Sequence, residues 1–274
     1  MAYKIIDMHT HSDNSPDGRH SAMYMCEQAF MSGLRGIAIT DHIEVDLYKE
    51  KHFDTAAFQS FIETKKAKYA FMGELLVCTG IELGQPMYDL PTAETIVNNL
   101  PYDFVMASVH NLKGMKDFCY LDYKNFKIDD LLTRYFDEVI KMCEWGKFDS
   151  LAHLTYPLRY ITGEQKIDVD IKKFYPQIEK ILKILIQKNI ALEINTSGLR
   201  QKLNDIMPSE DILKMYKALG GEMITFGSDA HFAEDLGKGI DKGMEKAVHC
   251  GFEHITLFQN RTPIQIHIEE EMKI

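Results

Sequence analysis

Residues 4–18 read KIIDMHTHSDNSPDG, an apolar run that ends in two histidines and passes directly into a polar, turn-rich stretch. A short apolar run bounded by turn residues is typical of a buried strand. Successive side chains of a strand point to opposite faces, so residues two apart share a face. We therefore expect His9 and His11 to project side by side from the end of the first strand.

The same pattern of an apolar run and a longer amphipathic stretch recurs along nearly the whole chain. In the amphipathic stretches the apolar residues recur at spacings of three and four, as in residues 174–185, which predicts helices. Strands that alternate with helices indicate βαβ units and a parallel sheet. The strand candidates are residues 3–9, 36–42, 75–83, 103–110, 150–154, 190–198 and 223–231, with a weaker eighth at 254–260. The helix candidates are residues 21–33, 55–72, 128–145, 170–188, 209–219 and 237–250.

The number of these units favours a closed barrel over an open sheet. The chain has 274 residues, and no Pro/Gly/Ser-rich linker or break in composition divides it. An α/β barrel of about 250 residues commonly forms one domain. We therefore predict a single TIM-like α/β barrel domain over residues 1–274, with about the last 20 residues packed on the barrel as a C-terminal extension.

Composition and charge argue against several classes of partner. The net charge of -10 does not suit a long nucleic acid or an anionic membrane surface, both of which require a basic face. The five cysteines are far apart and contain no CxxC pair, so neither a disulfide framework nor a cysteine-based zinc site is predicted. No secretory leader and no apolar run of about 18 residues is recognisable. We expect a reduced, cytoplasmic protein.

Unusual polar residues lie where the predicted strands end. In a parallel α/β barrel the carboxyl ends of all strands meet at one rim, where active sites are built. Six histidines and two carboxylates are therefore expected to converge there: His9, His11, His42, Glu82, His110, His153, Asp229 and His231. Without a cation, such a cluster would leave unpaired acceptors and repelling charges, which divalent metal ions relieve. Strand alternation also predicts that Asp229 and His231 share a face.

The types of ligand narrow the choice of metal. Histidine and carboxylate ligands without cysteine suit Zn, Mn or Fe, and the number of ligands indicates two or three ions, with a carboxylate such as Glu82 bridging. Asp7 and Asp41 lie close to predicted ligands in the chain, where they would either orient an imidazole from behind or serve as ordinary strand-end residues. The remaining histidines are interpreted as structural or surface residues: His20, His52, His249, His254 and His267.

Six short motifs give the chain a resemblance to a known family. DMHTHSDNSPDG, ITDH, GIELG, SVH, AHL and GSDAH occur in the order found in the PHP family, named for polymerase and histidinol phosphatase. The resemblance runs from residue 5 to about residue 240. It implies a distorted (βα)7 barrel that carries a trinuclear metal centre.

The resemblance also implies how the ligands are shared. One metal would take His9, His11, Glu82 and Asp229, a second would take Glu82, His110 and His153, and a third would take Asp17, His42 and His231. Many relatives have a histidine where this chain has Asp17, and the SPDG form resembles the histidinol phosphatase branch. From the residues alone, Asp17 would be interpreted as part of a Pro-Asp-Gly turn.

The activity implied by this resemblance is hydrolysis of a phosphate monoester, with L-histidinol phosphate as the expected substrate and a metal-bridging hydroxide as the nucleophile. Arg159 and Arg200 fall at the predicted rim, where a guanidinium group suits phosphate oxygens, and Ser197 is a further candidate donor. The general acid is not assigned. Four acidic residues near the predicted mouth either meet the cationic groups of that substrate or are solvated charges: Glu44, Asp46, Asp117 and Asp122.

Three alternative functions stay open. The same scaffold would serve a phosphoesterase acting on another small ester or nucleotide. A non-catalytic metal-binding module is disfavoured because all nine ligand positions are filled, and an amidohydrolase-like enzyme usually recruits a strand-end lysine, which this chain lacks.

The irregular segment at residues 111–127 is either a substrate-binding loop or lid, or a surface excursion. The oligomeric state is left open.

Overall fold

Seven parallel strand positions form the frame of the molecule. In the computed structural model, which describes residues 5–268, neighbouring strands of the main sheet lie in the order in which they occur in the chain. They are β1 (Ile6–Thr10), β2 (Gly36–Ile39), β3 (His42–Glu44), β4 (Leu76–Gly84), β5 (Phe104–Ser108), β6 (Ser150–Leu151), β7 (Ala191–Asn195) and β8 (Ile224–Gly227). Because β2 and β3 pair with successive parts of β4, they occupy one position of the frame.

The last of these strands closes the frame onto the first. The amide of Asp229 donates to the carbonyl of His9 at 2.8 Å, and the amide of His11 donates to the carbonyl of Ala230 at 2.9 Å. Thr10 and Ala230 form a parallel bridge at the same place. The predicted distorted (βα)7 barrel is confirmed. The closing hydrogen bonds also hold the backbone of three predicted site residues.

Seven α-helices occur among residues 5–268. They are α1 (Ala22–Met31), α2 (Phe53–Ala70), α3 (Leu90–Asn99), α4 (Ile128–Trp145), α5 (Tyr175–Lys188), α6 (Glu210–Ala218) and α7 (Ile240–His249). Only α3 is missing from the predicted helices, although Asp89 caps it by accepting from the amide of Thr92 and Pro91 stands in its first turn. Within this described range, no helix has both the length and the apolar character that a bilayer crossing requires.

Apolar faces of the helices bury the outer side of the barrel. On α5, four residues of the predicted period lie fully buried: Ile178, Ile181, Leu182 and Leu185. Burial of one such side chain stabilises the fold by about 1.5–3 kcal/mol. The helices therefore supply the stability that holds the polar rim in place.

The eighth predicted strand lies outside the barrel frame. It is β9 (His254–Gln259), which forms an antiparallel hairpin with β10 (Thr262–His267). The ring of Phe258 stacks on that of Phe104 with centroids 5.3 Å apart, and Arg261 pairs with Asp149. The hairpin thus packs against the amino ends of the barrel strands, opposite the polar rim. Residues 3–4 of the first predicted strand and residues 269–274 of the predicted extension lie outside the described residues.

Asp103 joins three elements at this amino-terminal end. Its carboxylate accepts hydrogen bonds from the amide and hydroxyl of Thr79 at 3.0 and 3.1 Å, from Lys68 at 2.6 Å and from the amide of Asn260 at 3.2 Å. Burial opposes ionisation, but these donors outweigh it and hold the pKa of Asp103 below its usual value. Asp103 therefore links α2, β4 and the hairpin in its ionised form.

Candidate metal centre

Two imidazoles project from the carboxyl end of β1. His9 lies in the strand, His11 follows it directly, and both are fully buried. Their Nε2 atoms are 3.0 Å apart. They face Glu82 Oε2 at 3.3 and 3.6 Å, and Asp229 Oδ1 at 3.7 and 3.6 Å. Bonds of about 2.0–2.2 Å to one tetrahedral ion would place its ligand atoms about 3.3–3.6 Å apart. The ligand atoms of His9, His11 and Asp229 lie 3.0 to 3.7 Å apart, which is close to this spacing.

The second oxygen of Glu82 faces another pair of imidazoles. Glu82 Oε1 lies 3.0 Å from His110 Nε2 and 2.8 Å from His153 Nε2, and these two nitrogens are 3.4 Å apart. Glu82 is fully buried, with its two oxygens turned toward two different groups. This is the geometry that the predicted bridging carboxylate requires.

A third group lies nearer the surface. The ring of His11 is stacked between those of His42 and His231, with centroids 4.2 and 4.1 Å away. Asp17 Oδ2 lies 3.3 Å from His231 Nε2, and Asp17 Oδ1 lies 3.8 Å from His42 Nε2. The Asp17 side chain is 62% exposed, so it forms the solvent edge of this group.

The donors of these groups fit divalent ions. Ligand atoms within 4.8 Å of one another occur in four sets, which are His9/His11/Asp229, His9/Glu82/His153, His42/Glu82/His110 and His11/His42/His231. His42 Nδ1 lies 3.0 Å from Glu82 Oε2, and like His231 Nε2 it is a buried nitrogen whose nearest partners are carboxylate oxygens of the cluster. Imidazole nitrogens beside carboxylates are ligands that Zn, Mn and Fe accept.

Charges in the cluster favour a cation. Burial opposes ionisation of Glu82, but the imidazoles of His110, His9 and His42 outweigh it and hold the pKa of Glu82 well below its usual value. Burial also lowers the pKa of His11 well below its usual value, and the neighbouring His231 and His42 lower it further. Glu82 is therefore ionised and His11 neutral, whereas at His9, His42 and His110 burial is outweighed by the cluster's carboxylates, which raise the pKa values, so a bound cation would displace protons from these imidazoles.

Two further carboxylates hold imidazoles from behind. His9 Nδ1 lies 2.6 Å from Glu193 Oε1, and His110 Nδ1 lies 2.9 Å from Glu44 Oε1. A partner on Nδ1 fixes the tautomer that turns Nε2 toward the metal. Sequence reasoning missed Glu193, although an acidic residue in the middle of the buried strand ALEIN is an unusual choice that signals it.

Asp7 and Asp41 do not contact an imidazole ring, which corrects the predicted orienting role. Asp7 accepts from the amide and hydroxyl of Ser228 at 2.9 and 2.5 Å and from the amide of Gly237 at 2.9 Å. The carboxylate of Asp7 thus binds the chain segment that comes after β8. Asp41 accepts from the hydroxyl of Ser15 at 2.8 Å, and that hydroxyl lies 3.1 Å from His11 Nδ1. Asp41 therefore acts on an imidazole only through a serine.

The backbone that carries four ligands differs from the prediction. β5 ends at Ser108, β6 at Leu151 and β8 at Gly227, so these ligands follow their strands: His110, His153, Asp229 and His231. Strand alternation therefore does not apply to Asp229 and His231, although both side chains turn toward the cluster, where His231 Nδ1 lies 3.6 Å from Asp229 Oδ1. His153 and Asp229 have φ values of 46° and 55°, in the left-handed region that is uncommon for residues other than glycine. Turns place these ligands.

Arg159 and Ser197 lie beside the ligand Asp229. Arg159 Nη2 donates to Ser197 Oγ and to Asp229 Oδ2, both at 2.7 Å. Its Nε is buried without a partner among residues 5–268. Arg200 donates instead to the carbonyls of Ser228 and Asp229 at 2.7 and 3.3 Å, so it supports the turn that carries Asp229.

A cavity of about 540 Å³ opens onto the cluster, and a second of about 480 Å³ adjoins it. Arg159 lines both cavities, and Arg200 lines the second. The 111–127 segment contributes a wall of the first cavity through Asn111, Met115, Lys116, Asp117, Cys119 and Tyr120. Phe118 and Tyr123 of the same segment are buried against the barrel. The segment is therefore part of the site.

The five histidines interpreted as structural or surface residues lie outside the four sets of ligand atoms among the described residues. One of them, His20, accepts at Nδ1 from the amide of Ala233 at 3.2 Å. His20 therefore serves as an ordinary hydrogen-bond acceptor for the backbone.

Comparison with known proteins places this site in a family. A probable histidinol-phosphatase of Thermotoga maritima is 29% identical over 260 residues, which cover 92% of this chain and 95% of its own length. The histidinol-phosphatase of Lactococcus lactis subsp. lactis is 26% identical over 93% of this chain and 94% of its own length. A crystal structure of the latter organism's histidinol phosphate phosphatase, complexed with zinc, L-histidinol and phosphate, has a TM-score of 0.83 at 24% identity and covers 96% of this chain and 100% of that chain. The two chains share the fold.

The family model of the PHP domain matches residues 7–197, which contain seven of the nine predicted metal ligands as well as Glu44, Arg159 and Glu193. This match covers more than half of the chain. The chain belongs to the PHP family.

Proposed function

We propose that this protein is a metal-dependent phosphate monoester hydrolase that converts L-histidinol phosphate and water to L-histidinol and phosphate. The observation that carries the proposal is a buried carboxylate, Glu82, shared between two groups of imidazoles, with the guanidinium of Arg159 at the edge of the cluster. The choice of L-histidinol phosphate as substrate is supported by relatives that are named as histidinol-phosphatases and align with this chain over nearly their whole length.

Two or three divalent ions, Zn, Mn or Fe, would be held by the nine predicted ligands. The proposed sharing places His9, His11, Glu82 and Asp229 on one ion, Glu82, His110 and His153 on a second, and Asp17, His42 and His231 on a third. Bound ions would polarise the phosphoryl oxygens and lower the pKa of a bound water.

Arg159 would bind the phosphoryl group. A guanidinium has five N–H donors, and Arg159 uses its Nη2 on Ser197 and Asp229 while its Nε stays unpartnered in the described chain. The remaining donors suit phosphate oxygens. Ser197 would fix the guanidinium, because its hydroxyl accepts from Arg159 and donates to Asn195 Oδ1 at 2.6 Å. Arg200 would act by holding the Asp229 turn and by raising the positive charge of the adjoining cavity.

The test is phosphate release by metal-reconstituted protein over a panel that contains L-histidinol phosphate, other monoesters and the diester bis(p-nitrophenyl) phosphate. We expect the highest kcat/KM with L-histidinol phosphate and loss of release in His9→Ala. Preference for a different ester would refute the substrate and retain the metal chemistry. No release from any ester, with bound metal verified by elemental analysis, would refute the hydrolase and favour a metal-binding module.

A further inference from the structure

Groups of opposite charge line the main cavity. The ligand cluster and Arg159 present positive charge once metal is bound, and the exposed Lys116 is a further cation of the wall. Two acidic side chains outside the ligand cluster, Asp46 and Asp117, also line the cavity. Glu44 lines it too, but its carboxylate is paired with His110 and His42. A cavity with groups of both charges in its wall suits a ligand that has a negative and a positive end.

Asp117 is held close to the cluster by one aromatic side chain. The hydroxyl of Tyr156 donates to Asp117 Oδ1 at 3.1 Å, and the Tyr156 ring lies 5.0 Å from the rings of both His110 and His153. The amide of Cys119 donates to the same oxygen at 2.7 Å. A carboxylate has about four acceptor positions, so Asp117 retains acceptor capacity toward the cavity.

A second residue of the cavity wall, Asn111, has a hydrogen-bond acceptor without a donor among the described residues. Asn111 is 7% exposed, and its amide group donates to Asp46 Oδ2 at 2.9 Å and to the carbonyl of Met115 at 3.1 Å. Its Oδ1 is buried and unpartnered among residues 5–268. Asn111, Asp46 and Asp117 together offer acceptors, which a donor-rich cation complements.

We propose that Asp117 determines specificity by binding a positively charged group on the leaving alcohol of the substrate. The inference rests on the proposed function and extends it to a selected class: phosphate monoesters whose alcohol carries an ammonium or imidazolium group. Asp117 repels the phosphate and attracts the cation, so it orients the substrate with phosphate toward Arg159 and rejects uncharged or anionic alcohols. L-Histidinol phosphate carries its amine on the second carbon from the ester oxygen, which matches this polarity.

The experiment compares kcat/KM for L-histidinol phosphate and for p-nitrophenyl phosphate, which has no cation, in wild type and Asp117→Asn. We expect the ratio of the two values to fall about tenfold, since a charged hydrogen bond becomes a neutral one. The inhibition constant of L-histidinol should rise by a similar factor relative to that of inorganic phosphate. Asp122→Asn is the matched control, because Asp122 lies in the same segment, caps its own turn and is not part of the cavity wall.

An equal loss on both esters, or an unchanged ratio, overturns the role of Asp117 while leaving the proposed function intact. Wild-type protein that releases phosphate from no ester refutes the proposed function before any variant is compared. If Asp117→Asn does not fold, Tyr156→Phe tests the same contact, because it keeps the ring and removes the hydroxyl that holds Asp117. That variant should shift the ratio in the same direction by a smaller factor, and an unchanged ratio counts against the inference.

Discussion

Glu193→Gln removes one negative charge from behind His9 and changes the side-chain volume very little. Both residues are fully buried, and the Nδ1–Oε1 distance is 2.6 Å. Within residues 5–268, the second oxygen of Glu193 accepts one hydrogen bond, from the side-chain amide of Asn195 at 3.3 Å. The substitution therefore isolates the effect of the carboxylate on the imidazole that it orients.

The size of the effect follows from the change in the hydrogen bond. A bond to a charged acceptor contributes about 1.5–3 kcal/mol and a neutral bond about 0.5–1.5 kcal/mol, so the loss is about 1.4 kcal/mol. This loss corresponds to a metal dissociation constant about tenfold higher. Mutating a residue that hydrogen-bonds a metal ligand typically weakens metal binding 10- to 100-fold. The expected tenfold change lies at the lower end of this range because glutamine keeps an acceptor at the same place.

The dissociation constant is measured by competition with a chromophoric chelator, and circular dichroism of the metal-free protein checks the fold. At a fixed metal concentration above both constants, the metal-loaded protein should lose about 1.4 kcal/mol of unfolding free energy. Glu179→Gln is the control, because Glu179 is a half-buried residue of α5 whose carboxylate pairs with Lys183, away from the ligand cluster. An unchanged dissociation constant in a folded Glu193→Gln protein would refute the view that this carboxylate strengthens the site.

Three further predictions concern the same framework. Gly227→Ala should weaken metal binding in the chelator competition more than Glu193→Gln does, because a Cβ at Gly227 would overlap both Glu193 Oε1 and the Cβ of His9; equal binding would contradict this packing. Arg159→Ala should lower kcat/KM for every ester by about 100-fold, and retention of full activity would exclude it from phosphate binding. Asp103→Asn should reduce the unfolding free energy at pH 7 by about 1–3 kcal/mol in urea titrations. Since the pKa of Asp103 is lowered by folding, this stabilisation is present above its usual value of 3.8 and is lost as the pH falls below it, so wild type and variant should converge in acid.

Much of the site was predictable because its residues carry a local signal. His9, His110 and their counterparts each stand where an apolar run gives way to a polar stretch, and a barrel gathers such positions at one rim. The same local pattern located six of the seven helices. It failed for α3, whose signal lies in the Asp89 cap instead of a long apolar period. It also failed for the backbone at Asp229, because the exact end of a strand depends on its neighbours.

The sequence by itself determined the alternation of strands and helices, the rim to which the polar residues belong and the family. Only the tertiary structure decided which side chains meet. Glu193 lies behind His9, 184 residues away, because barrel closure brings β7 and β8 around to β1. The two oxygens of Glu82 are divided between two groups, and Asp117 joins the cavity through Tyr156. Such contacts depend on strand register and side-chain packing across the barrel, which hydrophobic periodicity does not encode.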